Sequence, residues 1–198
     1  MLQIVLLVAS IVNVAYGQYY HYGSFVKHFD EDCMCMLYEF YCQQPDDDHP
    51  YKANAEAHCN TRFVQNGGPR GRLAVLRDSV VDLKIRKYIM DNKLDGPPCI
   101  SKFGFWIGLE DTLNEDEFIW SDSESHCQDD YRNWAPGEPN NNTKKNVGGQ
   151  DCVQLWFRFG HDGKWDDEYC DFRPKGFICE IPDPYCHTDA SIPRYSHG

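Results

Sequence analysis

Basic residues are scarce in this chain. Nineteen Lys and Arg stand against 31 Asp and Glu, leaving a formal charge of −12. Arg70-Gly71-Arg72 and Lys144-Lys145 are short and read as solvated loops. A nucleic-acid surface needs Lys and Arg gathered on one face, so that class of partner is excluded. Long apolar runs are lacking too. Leu2 to Val14 is nearly continuous apolar sequence but too short to span a bilayer, and no later stretch is longer. There is no internal repeat and no low-complexity tract. Neither an HExxH sequence nor a nucleophile motif occurs, which argues against a hydrolase; the expectation is a protein that is not an enzyme.

The short apolar run fits a secretory signal over residues 1–17, with small residues Ala15 and Gly17 where cleavage needs them. No Lys or Arg precedes it. The expectation is a secreted, extracellular protein beginning at Gln18. It would have an N-terminal extension over 18–32, one domain over 33–181 and a proline-containing tail over 182–198. Cysteine is plentiful: ten, an even number, points to disulfides in an oxidising compartment. The pairs His58-Cys59, His126-Cys127 and Cys186-His187 lack zinc-finger spacing.

Periodicity places two helices early. Ala55, Cys59 and Phe63 recur every four residues over 51–65, ended by Gly67-Gly68-Pro69. Ser79-Val80-Val81-Asp82 reads as a capping box opening a second helix, with Val81, Ile85, Tyr88 and Ile89 as its buried stripe. Strand-like runs are expected at Cys33 to Cys42, Leu73 to Leu76, 103–109, 117–121, Cys152 to Phe159 and Phe177 to Ile181. In the fifth run Val153, Leu155, Phe157 and Phe159 alternate with Gln154, Trp156 and Arg158. Gln18 to Asp32 is aromatic-rich without a clear period and is expected to have little order of its own. The order of elements predicts an α+β domain.

The chemistry is concentrated between residues 138 and 170. Glu138-Pro139-Asn140 leads into a polar loop, then Gln150-Asp151-Cys152, then Trp165-Asp166-Asp167 and Cys170. Carboxylates, amides and loop carbonyls in this density suit a hard cation such as Ca²⁺, which takes 6–8 oxygen ligands. A cis bond at Pro139 would turn its two flanking side chains to one side. Cys152 and Cys170 read as staples closing the loop.

These motifs resemble the calcium-dependent sugar site of the C-type lectins. Phe105-Trp106-Ile107-Gly108-Leu109 is similar to that family's WIGL motif, Ala55-Glu56 with Cys59 to its first helix, and Phe177-Ile178-Cys179-Glu180 to its closing strand. The resemblance runs from about Cys33 to Ile181. It implies a C-type lectin-like fold: two helices, short antiparallel sheets and long loops stapled by disulfides. Its sugar-binding calcium would be held by Glu138, Asn140, Gln150, Asp166 and Asp167, and all but Asp167 would also touch the sugar. An auxiliary calcium would use Asp111, Glu115, Asn141 and Asp151. Glu-Pro-Asn in that family goes with mannose, fucose and N-acetylglucosamine rather than galactose. Gln150 stands where Glu is usual, and Asp166 where Asn is usual; the exchange is neutral in total charge but removes an amide donor.

The resemblance further implies disulfides Cys59–Cys179 and Cys152–Cys170, with Cys42 closing onto Cys33 or Cys35. Cys99 and Cys127 stand equally far from the centre of the 103–121 hairpin, so Cys99–Cys127 is expected from geometry. That leaves Cys186 for the unused member of Cys33 and Cys35. Asn141-Asn142-Thr143 is an N-glycosylation sequon beside the sugar site. Among the tryptophans, Trp156 is the candidate for an additional contact if it faces outward. The expected function is a secreted, calcium-dependent binder of mannose-type glycans, compatible with an oligomer. The alternative is an acidic extracellular-matrix or biomineral-associated interaction protein on the same fold.

Overall fold

A computed structural model describes residues 20–29, 34–42, 51–64, 67–96, 103–126, 130–173 and 175–183, and among these described residues the regular structure is eight strands and two helices. The strands are β1 (Tyr20–Phe29), β2 (Met34–Cys42), β3 (Arg72–Leu73), β4 (Phe105–Glu110), β5 (Ile119–Trp120), β6 (Cys152–Trp156), β7 (Lys164–Glu168) and β8 (Gly176–Asp183). The helices are α1 (Lys52–Cys59) and α2 (Ser79–Asp91). They form one mixed sheet in the order β1-β2-β8-β4-β6-β7, with β3 on β8 and β5 on β4. β4 and β8 run parallel; the other pairings are antiparallel.

Side chains alternate between the faces of a strand, and β4 shows why its sequence is continuously apolar. Its Phe105, Ile107 and Leu109 enter a core shared with Ile85 and Ile89 of α2, while Trp106 enters a second core with Ala55 and Cys59 of α1. The Cys59–Cys179 disulfide fixes α1 to β8. Its loop spans 120 residues, for which the chain-entropy model gives about 5 kcal/mol.

Several expectations need correction. Residues 18–32, expected to have little order, supply β1, which pairs with β2 along its length. α1 ends at Cys59 rather than reaching Phe63, which is 45% exposed. Arg62 leaves the helical path and grips buried Glu39 with Nε at 2.8 Å and a terminal nitrogen at 2.9 Å. The cap of α2 is Asp78, which accepts from the Val80 N–H at 2.7 Å; Ser79 is already the first helical residue. Asp82, assigned to a capping box, turns inward and is wholly buried. Phe159 lies past the end of β6 at φ +57 and is 79% exposed, so it is not part of the core-facing row.

Cys35 and Cys42 are both disulfide-bonded, but not to each other. They stand seven residues apart on one extended strand, a Cα separation of about 23 Å. Their partners lie outside the described residues, as do Cys33, Cys99, Cys127, Cys186 and the expected Cys99–Cys127 bond. So do residues 1–19 and the tail beyond 183. No helix among the described residues is long and apolar enough to cross a membrane.

Candidate metal and carbohydrate site

Three carboxylates converge where the loop after Ala135 meets β7. One oxygen each from Glu138, Asp166 and Asp167 lies within 4.8 Å of the others, and among the described residues no other group of three such ligands is this tight. β7 fixes two of them in antiparallel register with β6: Asp166 opposite Gln154 and Asp167 opposite Val153. Glu138 arrives from the loop, on a cis Glu138–Pro139 peptide.

The loop is held to the strand by the carboxylates themselves. The Asn140 N–H donates to both Asp167 oxygens, at 3.0 and 3.1 Å, and the Asn141 N–H donates to Asp167 Oδ2 at 2.6 Å. The Asn140 amide also donates to Glu138 Oε2. Gln150 bonds to the loop and to Glu168 rather than to the three carboxylates. Its Oε1 accepts from the Asn142 N–H at 3.0 Å and its Nε2 donates to Glu168 at 3.1 Å. The Asn141 side chain accepts from the Gln150 N–H at 2.9 Å. Gly149 is needed beneath it: at φ +94, a Cβ there would lie 1.5 Å from Asn141 Oδ1. The Cys152–Cys170 disulfide ties the base of β6 to the end of this segment.

The electrostatics of this group favour a cation. Burial, with the Asp167 and Asp166 carboxylates beside it, pushes the Glu138 carboxyl up to about 8. Burial also raises Asp166, to about 6, with Glu168 and Asp167 adding to it against the hydrogen bond from Gln154. An all-oxygen set that is difficult to charge when empty fits a hard divalent ion. Glu138, Asp166 and Asp167 form the group that could hold one.

The auxiliary set is less concentrated. Asp111 is buried, with Oδ2 accepting from the Asp116 N–H at 2.9 Å and Oδ1 lacking a hydrogen-bond partner. Burial lifts its carboxyl to about 7, against the Asp116 hydrogen bond and helped by the Glu115 and Asp151 charges. Those charges are neighbours of Asp111, but Asn141 directs its side-chain oxygen to Gln150 instead.

Two supporting residues are absent from the motif reading. Gln154 donates from Nε2 to Asp166 Oδ2 at 2.5 Å. Asp82 on α2 accepts from the Trp165 indole at 3.0 Å, one residue before Asp166. The first had a signal in the sequence, since the turn at His161 to Lys164 places residue 154 opposite 166. The second had none, because α2 and β7 are far apart in the chain. Trp106, Trp120 and Trp165 are core, and Trp156 is half-buried, stacked 4.2 Å from the His161 ring.

Comparison with known proteins follows the same lines. The family model described as Lectin C-type domain matches residues 53–181. The low affinity immunoglobulin epsilon Fc receptor of Homo sapiens is 40% identical over 80 residues, which is 40% of this chain and 22% of that protein. The chain therefore spans about a fifth of that receptor's length. A C-type lectin mannose-binding isoform of Oxyuranus scutellatus is 29% identical, covering 80% of this chain and 90% of that one. Among solved structures, the cow C-type carbohydrate-recognition domain of CD23, determined in the presence of GlcNAc2Man3 oligosaccharide, has a TM-score of 0.51 at 27% identity. The match covers 73% of this chain and 86% of that domain.

Proposed function

The chain belongs to the C-type lectin domain family, a non-enzymatic binding family, and from that premise we propose a secreted, calcium-dependent binder of mannose-type glycans. The observation that carries this reading is the convergence of Glu138, Asp166 and Asp167 within 4.8 Å, with Glu138 lifted to about 8. Three negative charges brought together in a partly dehydrated loop require a cation to be stable as anions.

Glu138, Asn140, Gln150, Asp166 and Asp167 would hold the ion. Bound Ca²⁺ offers coordination positions to two vicinal sugar hydroxyls. The chain's own groups do the orienting. Glu138 and Asp166 accept from hydroxyl protons, while the Asn140 and Gln150 amides can donate to hydroxyl oxygens. Asp167 receives two loop N–H groups and keeps Asn140 against the site. The order acid-Pro-amide at 138–140 supports mannose-type over galactose-type hydroxyl arrays, as do the mannose-binding relative and the mannose-containing oligosaccharide present with the cow domain. Asp166 can only accept, so Gln150 is assigned the amide donation that an Asn at 166 would make. A second calcium at Asp111, Glu115 and Asp151 is part of the same proposal, as is a glycan on Asn141 beside the site. Exchanging Glu138→Gln together with Asn140→Asp tests the sugar assignment. The expected result is a shift of preference from mannose towards galactose; unchanged preference overturns the role given to these two residues.

A further inference from the structure

Lys144-Lys145 has no part in the calcium cage, yet it stands midway along the loop that runs from Glu138 to Gln150. Residues 143–148 are exposed without a break, Val147 at 97%, and lie outside every helix and strand. The loop is fastened on both sides of this stretch. Before it, Asp167 holds the Asn140 and Asn141 N–H groups and Gln150 holds that of Asn142. After it, Gly149 and Gln150 are buried, and the Gln150 N–H donates to Asn141. What lies between is a raised, polar loop tip, the kind of segment at which proteases nick folded proteins.

The two lysines are not equivalent. Lys145 is tied down: its N–H donates to Tyr169 Oη at 3.1 Å, and its amine lies 2.8 Å from the centre of the Phe172 ring. The Lys144 N–H donates to Asn142 Oδ1 at 2.9 Å, but its amine has no acid or ring partner among the described residues. One other adjacent basic pair falls among those residues, Arg86-Lys87. It sits inside α2 between the buried Ile85 and Ile89, so its backbone cannot extend as a protease cleft requires.

The disulfides decide what a cut here leaves behind. Cys59 precedes it and Cys179 follows it, so their bond joins the two pieces, while Cys152–Cys170 lies wholly in the second. The proposed ligands divide as well. Glu138 and Asn140 fall in the first piece; Gln150, Asp166 and Asp167 fall in the second.

We propose that the Lys144–Lys145 peptide bond is a processing site for a serine protease with an acidic primary pocket, and that the cut yields a disulfide-linked two-chain form that has lost the calcium site. The pocket carboxylate pairs with the unpartnered Lys144 amine. Water adds across the bond: the Lys144 carbonyl carbon becomes a carboxylate and the Lys145 nitrogen an ammonium. The loop then ends in two loose strands, and gathering them around an ion costs conformational entropy that the closed loop has already lost. A glycan on Asn141 stands three residues from the bond, so glycosylation and cleavage compete for one loop. This inference rests on the calcium reading above.

Limited tryptic digestion of the full chain, sampled early and read by intact mass and peptide mapping, tests it. The substrates are wild type, Thr143→Ala, which removes the sequon, and Lys144→Gln/Lys145→Gln. The first cut within residues 20–183 should follow Lys144, in wild type or, where a glycan shields the bond, in Thr143→Ala. The product should run as one species until it is reduced and then as two. Its calcium dissociation constant, by calorimetry, should be about tenfold weaker than that of the uncut chain, or worse. The double Gln variant should resist this cut and bind calcium as wild type does. A first cut elsewhere in both wild type and Thr143→Ala overturns the site. A nicked protein with undiminished calcium affinity overturns the switch. An uncut chain that takes up no calcium overturns the calcium reading and the switch with it, while the mapped cut still decides the site.

Discussion

The indole N–H of Trp165 donates to the Asp82 carboxylate at 3.0 Å, so α2 holds the residue immediately preceding two of the proposed metal ligands. Asp82 is wholly buried and also accepts from Arg86 Nε at 2.7 Å, Tyr131 Oη at 2.9 Å and Asn133 Nδ2 at 3.0 Å. Removing one carboxylate strands four donors.

Asp82→Ala should therefore destabilise the fold by about 3–5 kcal/mol, the range for breaking a buried charged network. Asp82→Asn, which keeps one acceptor oxygen, should cost less. Denaturant unfolding measures the loss, and calcium titration should show weaker binding as Trp165 loosens. A cost under about 1 kcal/mol with unchanged calcium affinity would contradict this anchoring role.

Calcium itself should stabilise the protein by mass action. With a dissociation constant on the order of 10⁻⁴–10⁻³ M, as in extracellular modules, free calcium at ten times that constant adds about 1.4 kcal/mol. Asp167→Ala removes both a ligand and the acceptor for the Asn140 and Asn141 N–H groups, so the increment should vanish. Melting curves with calcium and with EDTA decide the matter; identical curves for the wild type contradict the cage.

The sequence made legible the features that a period or a family motif reports, and not the long-range contacts that neither reports. The stripe of α2, the alternation of Val153 and Leu155, and the pairing of Cys59 with Cys179 could all be read, because periodicity and family resemblance report them directly. The carboxylates at 138, 166 and 167 were legible as a group from the motifs, and the structure brings them together. Phe63 misled because its four-residue spacing continued past a helix that Arg62 leaves to reach Glu39. The strand at Tyr20–Phe29 was missed because its pairing partner, β2, and not its own pattern, orders it. Asp82 matched a local capping pattern while all of its side-chain partners but Arg86 lie some 50 or 80 residues away.

His126 gives a pH dependence independent of the cage. Its side chain is 2% exposed, 5.8 Å from the Trp120 ring and 5.9 Å from the Trp165 ring, and neither ring nitrogen has a hydrogen bond. Burial holds its pKa below the ordinary 6.5; Arg132 and Arg77 lower it further, and Asp130 at 3.7 Å opposes them. The unfolded chain therefore takes up the proton first. Stability present above about pH 6.5 should fall as pH drops below it. His126→Gln should reduce that slope in calcium-free buffer; an unchanged slope means that His58, also depressed by burial, accounts for it instead.

The Cys152–Cys170 disulfide closes a short loop beneath the cage, with a sequence separation of 18. Replacing both cysteines with serine should cost about 3 kcal/mol by the chain-entropy model. Calcium affinity should fall as well, because Gln150 lies just before β6 and Asp167 near the end of β7, each close in sequence to one end of the bond. A variant equal to wild type in calcium affinity would show that the β6–β7 ladder alone fixes the ligands.

The most direct test of the central claim is binding of the full chain to immobilised mannose, in calcium and after EDTA, with galactose alongside. The account predicts retention on mannose in calcium, release by EDTA, weaker retention on galactose and no retention of Asp167→Ala. A protein that calcium stabilises but that passes through both columns would contradict it and favour the acidic interaction-protein reading.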